Sequence, residues 1–345
     1  MSSPSIILYK NLIKHCSQYG YLTSKALDAR SEDVSSTLPD VSSMLPLSYT
    51  YGFLTSTLFY NLKHEWLKSL IRNTCGLYNI YWLDQQAPST FESIIQKQEA
   101  YKKSKVTTYA IAWSENKISQ PPSENLSSLL RLVQQDQSKD DYLNLRGVQL
   151  NSQKINLQRL TNERLRWWKK FLNKRESLLR VSDKCQLLIK YNVDKINASY
   201  CLESLITSDD EKCIDLSLNM NYALSVLLID AFKDDSILQL HPLLAPYQVG
   251  IQLDEIQDSN TDDYNELRDY LGNILTSKYQ FRFLRDNNGD WDKLGVPFVI
   301  ILNSDSLKNG LCTVQNRDTR LREQVHIKHL PRHLSIYFKA LDDYS

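Results

Sequence analysis

The chain has 345 residues, 42% apolar and 23% charged, which suits a soluble globular protein of two domains and argues against a disordered or fibrous chain. Its 41 basic and 40 acidic side chains leave a net charge of +1, so no global field draws it to nucleic acid or membrane, and any basic surface must be local. Only nine glycines disfavour phosphate-cradling loops, six scattered cysteines without C-x-x-C spacing fit free thiols in a reducing compartment, and no apolar run is long enough to span a membrane.

Residues 1–30 carry Lys10, Lys14, His15 and Lys25 and no acid before Asp28. Leu8, Leu12, Cys16 and Tyr19 fall on one helical face. The composition reads either as a mitochondrial targeting segment or as an ordinary N-terminal helix. Residues 31–48 are rich in serine, with Pro39 and Pro46, and read as a linker. Tyr51-Gly52-Phe53-Leu54 then leads into Leu58, Leu62, Trp66, Leu67 and Leu70, spaced for an amphipathic helix. Val106 to Trp113 is β-branched and aromatic and predicts a strand. Ser119 to Ser123 predicts a loop.

The span 153–180 predicts the longest helix, with Ile155, Leu157, Leu160, Trp167, Trp168, Phe171 and Leu172 as its apolar part. Lys154, Arg159, Arg164, Arg166, Lys169, Lys170, Lys174, Arg175 and Arg180 face only Glu163 and Glu176. Such a local excess is either a phosphate-tracking face or a solvated face whose long stems cover apolar neighbours. Leu218 to Phe232 predicts a buried helix. His241-Pro242-Leu243-Leu244-Ala245-Pro246 marks a junction, which sets the expected domains at 49–240 and 241–345.

Beyond the junction, Val249, Ile251 and Leu253 alternate as a strand. Thr261-Asp262-Asp263 opens a helix, its acids favourable at the N-terminal dipole. Its expected buried stripe is Tyr264, Leu267, Leu271 and Ile274. Tyr279, Phe281 and Phe283 predict a further strand, and Asn287 to Asp290 a turn. Val296 to Leu302 is nearly unbroken apolar sequence, the pattern of a strand buried on both faces. Asn309-Gly310 predicts a two-residue hairpin to a strand from Leu311 to Asn316. Arg317-Asp318-Thr319 predicts a turn, and Leu330 to Leu341 a final helix with Pro331 in its first turn. Strand–helix alternation predicts a small α/β sheet carrying helices.

From Ala245 onward the chain resembles the anticodon-binding domain of class II aminoacyl-tRNA synthetases of the glycyl, prolyl and histidyl group. The residues that carry the resemblance are Leu244-Ala245-Pro246-Tyr247-Gln248-Val249, Gly295-Val296-Pro297-Phe298, Lys308-Asn309-Gly310 and Arg317-Asp318-Thr319. Tyr51-Gly52-Phe53-Leu54 and Asn61-Leu62-Lys63-His64-Glu65-Trp66 also resemble glycyl-tRNA synthetase. The implied fold is α/β with an α+β N-terminal part: a degenerate class II synthetase-like domain followed by an anticodon-binding-like domain with a mixed sheet. A synthetase of this family holds ATP with an Arg-x-Glu motif and a glycine-rich motif ending in arginine. The only Arg-x-Glu here, Arg30-Ser31-Glu32, lies in the linker. Asn221 to Asp230, where the second motif falls, is largely apolar and has no arginine. Developing phosphate charge has no stabiliser there, so aminoacylation is not expected.

This combination resembles the accessory-subunit family of the mitochondrial DNA polymerase, which looks like a glycyl-tRNA synthetase that lost catalysis. Arg166-Trp167-Trp168-Lys169-Lys170-Phe171 extends the resemblance. It implies a non-enzyme of the mitochondrial matrix without cofactor or metal. Its implied partners are the polymerase's catalytic subunit and primer-template or double-stranded DNA, and no membrane. The short segment Leu83–Lys105 leaves no room for the helical insertion that builds the vertebrate dimer, so a one-to-one complex is expected, as in insect members. The candidate contacts are Arg166, Lys169, Lys170, Arg317, Arg320, Arg322 and Lys328, with surface solvation as the alternative role. His326, His329 and His333 lack a convincing metal geometry across Pro331. Cys–His catalysis has no supporting pattern, and Asp254, Glu255 and Asp258 read as a solvated loop. A divergent synthetase or tRNA-binding protein is the other reading.

Overall fold

Apolar periodicity sets the elements of the structure, a computed structural model. It describes residues 4–24, 49–72, 80–83, 108–118, 139–149, 157–182, 186–193, 198–207, 213–233, 237–254, 261–285 and 290–343. In chain order the elements begin with α1 (Pro4–Gln18), β1 (Leu22–Ser24), β2 (Tyr49–Tyr51), α2 (Phe53–Arg72), β3 (Ile80–Leu83), β4 (Thr108–Ile118) and β5 (Lys139–Gln149). They continue with α3 (Leu157–Phe171), β6 (Leu178–Ser182), β7 (Gln186–Val193), β8 (Ala198–Thr207), β9 (Cys213–Asn219), α4 (Met220–Ala231) and β10 (Val249–Leu253). The last are α5 (Thr261–Ser277), β11 (Phe283–Leu284), β12 (Phe298–Leu302), α6 (Ser304–Lys308), β13 (Leu311–Asn316), β14 (Arg322–His326) and α7 (Leu330–Asp343).

Two compact units form. The first comprises Met1–Ser56, Thr74–Asn156 and Leu179–Val226; the second comprises Thr57–Asn73, Leu157–Leu178 and Leu227–Ser345. The expected linker 31–48, the loop 119–123, most of Leu83–Lys105, the turn residues 287–289, and Glu255 with Asp258 lie outside the described residues.

In the first unit a seven-stranded sheet runs β3-β4-β5-β9-β8-β7-β6. β3 pairs parallel with β4, while β4/β5, β5/β9, β9/β8 and β8/β7 are antiparallel. β9 shows the period-two rule: Ile214, Leu216 and Leu218 are buried, alternating with half-buried Cys213, Asp215 and Ser217. On β5, buried Asn144 accepts the Ser217 hydroxyl at 2.6 Å, which satisfies a polar group between Leu143 and Leu145. Tyr51-Gly52 has a packing reason for its glycine. A Cβ on Gly52 would stand 2.2 Å from the Gly20 carbonyl oxygen, so only glycine lets the two chains approach. Gly52 N–H bonds the Tyr21 carbonyl at 2.8 Å, and Thr55 Oγ1–H bonds it at 2.7 Å.

The second unit is built on the sheet β11-β10-β12-β13-β14. β10 is parallel to β11 and β12; β12/β13 and β13/β14 are antiparallel. The anticipated mixed sheet is therefore present. All five residues of β12 are buried. Val299 and Ile301 pack with Trp291 and Val296 on one side. Phe298 meets Tyr337 and Phe338 of α7, with ring centroids 5.5 and 5.4 Å apart. Full burial of each such side chain contributes roughly 1.5–3 kcal/mol.

Three local expectations change. The hairpin at Asn309-Gly310 is instead the end of α6, a short helix inserted between β12 and β13. Asn303 and Ser306 form its capping box. Asn309 is its C-cap, and Gly310 takes φ +67° just beyond. The taste for positive φ that favours hairpin turns serves equally well to stop a helix. The strand expected over Tyr279–Phe283 shrinks to Phe283–Leu284, because Gln280 (φ +58°) donates to Thr276 O and closes α5 with a left-handed cap. The helix expected to reach residue 180 stops at Phe171. The buried Asp230 carboxylate takes the N–H groups of Asn173 and Lys174 and draws the backbone out of the helix.

Candidate functional site

The site lies in the second unit and begins with α3. Leu160, Arg164, Trp167, Trp168 and Phe171 recur at helical spacing and are buried. Trp167 and Trp168 pack edge to face at 4.9 Å, as do Trp167 and Phe171. Arg164, counted among the basic residues of the sequence, is fully enclosed. Its guanidinium lies 4.4 Å over the Trp167 ring and donates to Ser69 Oγ at 2.6 Å. Lys170 is also drawn inward. Its side chain is 7% exposed, 3.9 Å from Asp342, which also pairs with Lys68 at 2.8 Å. Arg166 and Lys169 remain on the exposed face.

The chain entering β10 is fastened from two sides. Asn61 of α2 donates to Leu244 O at 2.9 Å, and Arg282 donates to Ala245 O at 3.1 Å and Leu243 O at 2.9 Å. Burial lowers the Arg282 pKa to about 10, offset in part by Glu65, so the group stays cationic at neutral pH. The carbonyls of Leu243, Leu244 and Ala245 are thus held by fixed donors at the start of the motif.

Arg317 follows β13 and is 4% exposed. Nη1 donates to Leu238 O (3.2 Å) and Gly295 O (2.7 Å), Nη2 to Leu240 O (2.7 Å) and Asp318 Oδ2 (3.1 Å), and Nε to Asp318 Oδ1 (2.8 Å). All five guanidinium donors are thus used within the chain. The sequence reading offered Arg317 as a partner contact. The structure makes it the clamp that joins three stretches of backbone. Burial alone would raise the Asp318 pKa, but hydrogen bonds and charge from Arg317, with Gln239 and Lys233, bring it below the usual carboxylate value.

These two regions meet at a cavity of about 400 Å³. Its wall includes Lys170 and Phe171 at the end of α3, Asn173 and Arg175 after it, Gln239 to Pro242 at the junction, and Arg317 and Asp318. His241 packs edge to face on Phe171 at 5.0 Å. Its Nδ1 accepts the Leu243 N–H at 3.3 Å, which leaves the neutral ring's proton on Nε2. Burial, then the charges of Lys170, Arg317 and Arg175 against Asp318, pull its pKa down to about 3. His241 is therefore a neutral donor in a positive field.

The remaining candidates separate. Arg320 forms an exposed pair with Asp292 at 2.7 Å and holds φ +59°. Arg322 donates to Gln315 Oε1 at 2.8 Å from an exposed position on β14, and Lys328 is exposed before α7. Arg332 and Lys339 of α7 are exposed too. Of the seven expected contacts, the structure brings only Lys170 and Arg317 to one cavity. Arg175 and His241 were missed as site residues. The signals were present: Arg175 sat in the basic stretch, and His241 in the Pro-marked junction.

Other constellations resolve simply. His333 Nε2 lies 3.1 Å from Glu323, whose other oxygen accepts the Tyr337 hydroxyl at 2.7 Å and so raises the Tyr337 pKa, with burial adding to it. Among the described residues no group of three or more His, Cys, Asp or Glu is placed to hold a metal ion. No described helix is long and apolar enough to cross a membrane. Asn221–Asp230, where the synthetase motif for adenine would fall, is α4, a helix with Ala223, Leu224, Val226, Leu227 and Leu228 buried.

Residues 285–335 match the model of the anticodon binding domain. The chain is similar to "DNA polymerase subunit gamma-2, mitochondrial" of Drosophila melanogaster, 33% identical over 124 residues, 32% of this chain and 34% of the fly protein. The Xenopus laevis protein of the same name is 31% identical over 117 residues, 32% of this chain and 25% of the relative. Glycine–tRNA ligase of Alkaliphilus oremlandii is 24% identical over 174 residues, 45% of this chain and 36% of the ligase. The aligned segment spans about a third or less of the length of the two polymerase subunits it matches.

Proposed function

We propose that this chain is a non-catalytic accessory subunit of a mitochondrial DNA polymerase. It binds the catalytic subunit and raises its affinity for primer-template and its processivity, in the mitochondrial matrix at the nucleoid. The observation that carries this reading is the similarity to mitochondrial DNA polymerase subunits at 31–33% identity, above the 24–28% to glycine–tRNA ligases. The apolar helix α4, without arginine where a synthetase needs one for ATP, points the same way.

The working surface in this reading is the exposed basic set Arg166, Lys169, Arg322 and Lys328, with Arg320 held beside Asp292. Residues 241–345 carry the principal polymerase contact, and the synthetase-like part over residues 49–240 adds Arg166 and Lys169 to it. The complex is one-to-one, without a homodimer, because the segment Leu83–Lys105 is short. Residues 1–30 include α1 and β1, and Leu12, Ile13, Cys16 and Tyr21 among them are buried in the first unit, which favours the ordinary N-terminal helix over a removable targeting segment.

The test mixes the purified chain with the polymerase's catalytic subunit and measures complex mass and primer-extension length. A one-to-one complex and a salt-sensitive lengthening of products are expected. Unchanged product length at low salt overturns the reading. The glycine–tRNA ligase similarity supports a second one, a divergent synthetase or tRNA-binding protein. Amino-acid-dependent exchange of pyrophosphate into ATP would establish it and remove the first.

A further inference from the structure

We propose that the cavity between the end of α3, the His241 junction and the Arg317 turn is a binding site for a terminal phosphate group. Lys170 and Arg175 are its charged ligands and His241 Nε2–H its neutral donor. The polymerase reading does not require this site, and the site does not require a polymerase partner.

The charge count comes first. Lys170, Arg175 and Arg317 line the cavity against one carboxylate, Asp318, an excess of two positive charges. Asp342, 3.9 Å from Lys170, takes up part of one of them. The lining therefore carries a net positive charge, opposite in sign to the roughly −1.5 to −2 of a phosphate monoester near neutral pH.

The roles of the cations differ. Arg317 spends its donors on carbonyls and on Asp318, so it contributes field rather than contact. Arg175 is exposed at the rim and brings a planar fork suited to phosphate oxygens. The volume of about 400 Å³ lies within the range of small-ligand sites, larger than a lone anion needs. Phe171, Leu240 and Pro242 supply an apolar wall for whatever carries the phosphate. Burial and the neighbouring cations keep His241 neutral, so it can donate without adding charge.

Such a phosphate has two sources: a small phosphorylated molecule, or the phosphorylated end of a nucleic-acid strand. The full-length protein, with ¹⁵N-labelled histidine, is titrated with inorganic phosphate, with deoxyadenosine monophosphate, and with a short oligonucleotide bearing or lacking a 5′-phosphate. His241 imidazole resonances are the readout. Saturable shifts with phosphate or the monophosphate assign the small-molecule source. Shifts only with the 5′-phosphorylated oligonucleotide assign the strand end. In either case bound anion raises the His241 pKa, and Arg175→Gln weakens binding by about tenfold, the loss of one charge-assisted hydrogen bond. Arg175 is exposed, so an unchanged urea midpoint is the control for folding. If none of the probes moves His241, or if Arg175→Gln and Lys170→Gln both bind as tightly as the parent, the proposal is wrong.

Discussion

The exposed face of α3 and the turn after β13 belong to the same unit, and both read as basic sequence. Arg166 and Lys169 project from α3 into solvent. Arg317 turns inward and gives its donors to Leu238, Leu240, Gly295 and Asp318. The first pair is disposable to the fold and available to a partner. The second residue is indispensable to the fold and has no donor left to offer. An arginine's role is decided by the carbonyls it can reach, and these come from chain segments far away in sequence.

The largest effect that sharpens this contrast comes from Arg317→Leu. It leaves the Leu238, Leu240 and Gly295 carbonyls without their buried donor and takes the cation from the exposed Asp318 carboxylate, which keeps Gln239. A loss of about 3 kcal/mol or more is expected in urea unfolding, roughly 1–3 kcal/mol for each buried acceptor left unpaired. A loss under about 1 kcal/mol would put Arg317 back among the surface cations. Next is pH. The folded His241 pKa is depressed from 6.5 to about 3, so the unfolded chain binds the extra proton first as pH falls. Stability from this group is full above pH 6.5 and declines as pH drops toward 3. From pH 7 to pH 5 the decline is about 2 kcal/mol, and in His241→Gln that contribution is absent. Equal pH dependence in parent and variant would show that His241 is not held neutral.

Arg166→Gln with Lys169→Gln tests the other side of the comparison. Stability should change by less than about 0.5 kcal/mol. If both side chains track phosphates, the salt slope of DNA binding falls by about 1.8. An unchanged slope makes them solvated cations only. Smallest of all, Arg320→Gly removes an exposed ion pair while relieving a left-handed backbone. Surface pairs contribute roughly 0–1 kcal/mol and the two effects oppose, so the urea midpoint should barely move. A large loss would mean that the Asp292 pair matters more than its exposure suggests.

Much of the second unit was legible because its signals are local. The unbroken apolar run ending at Leu302 is the buried β12, and Thr261-Asp262-Asp263 does open α5. β14 was not legible: of Arg322 to His326 only Val325 is buried, so no alternation shows. In the first unit, β5 hides Leu143 and Leu145 among Asp, Asn and Arg, and its pairing with β9 joins residues about seventy positions apart. The cavity was the least legible feature. Lys170, His241 and Arg317 each carried a visible chemical signal, but their meeting depends on Asp230 ending α3 and on Arg317 seizing Leu238 and Leu240.

The ion pair between Lys68 and Asp342 also sets a clock. The two residues are 274 positions apart, and Asn61 waits 183 positions for the Leu244 carbonyl. At synthesis rates of roughly 5–20 residues per second, α2 emerges about 15–55 seconds before Asp342 exists. During that interval Leu58, Leu62 and Trp66, all buried in the finished fold, have yet to meet the last of their neighbours. The second unit is therefore completed only late in translation, when α7 and the Leu244 carbonyl become available to α2.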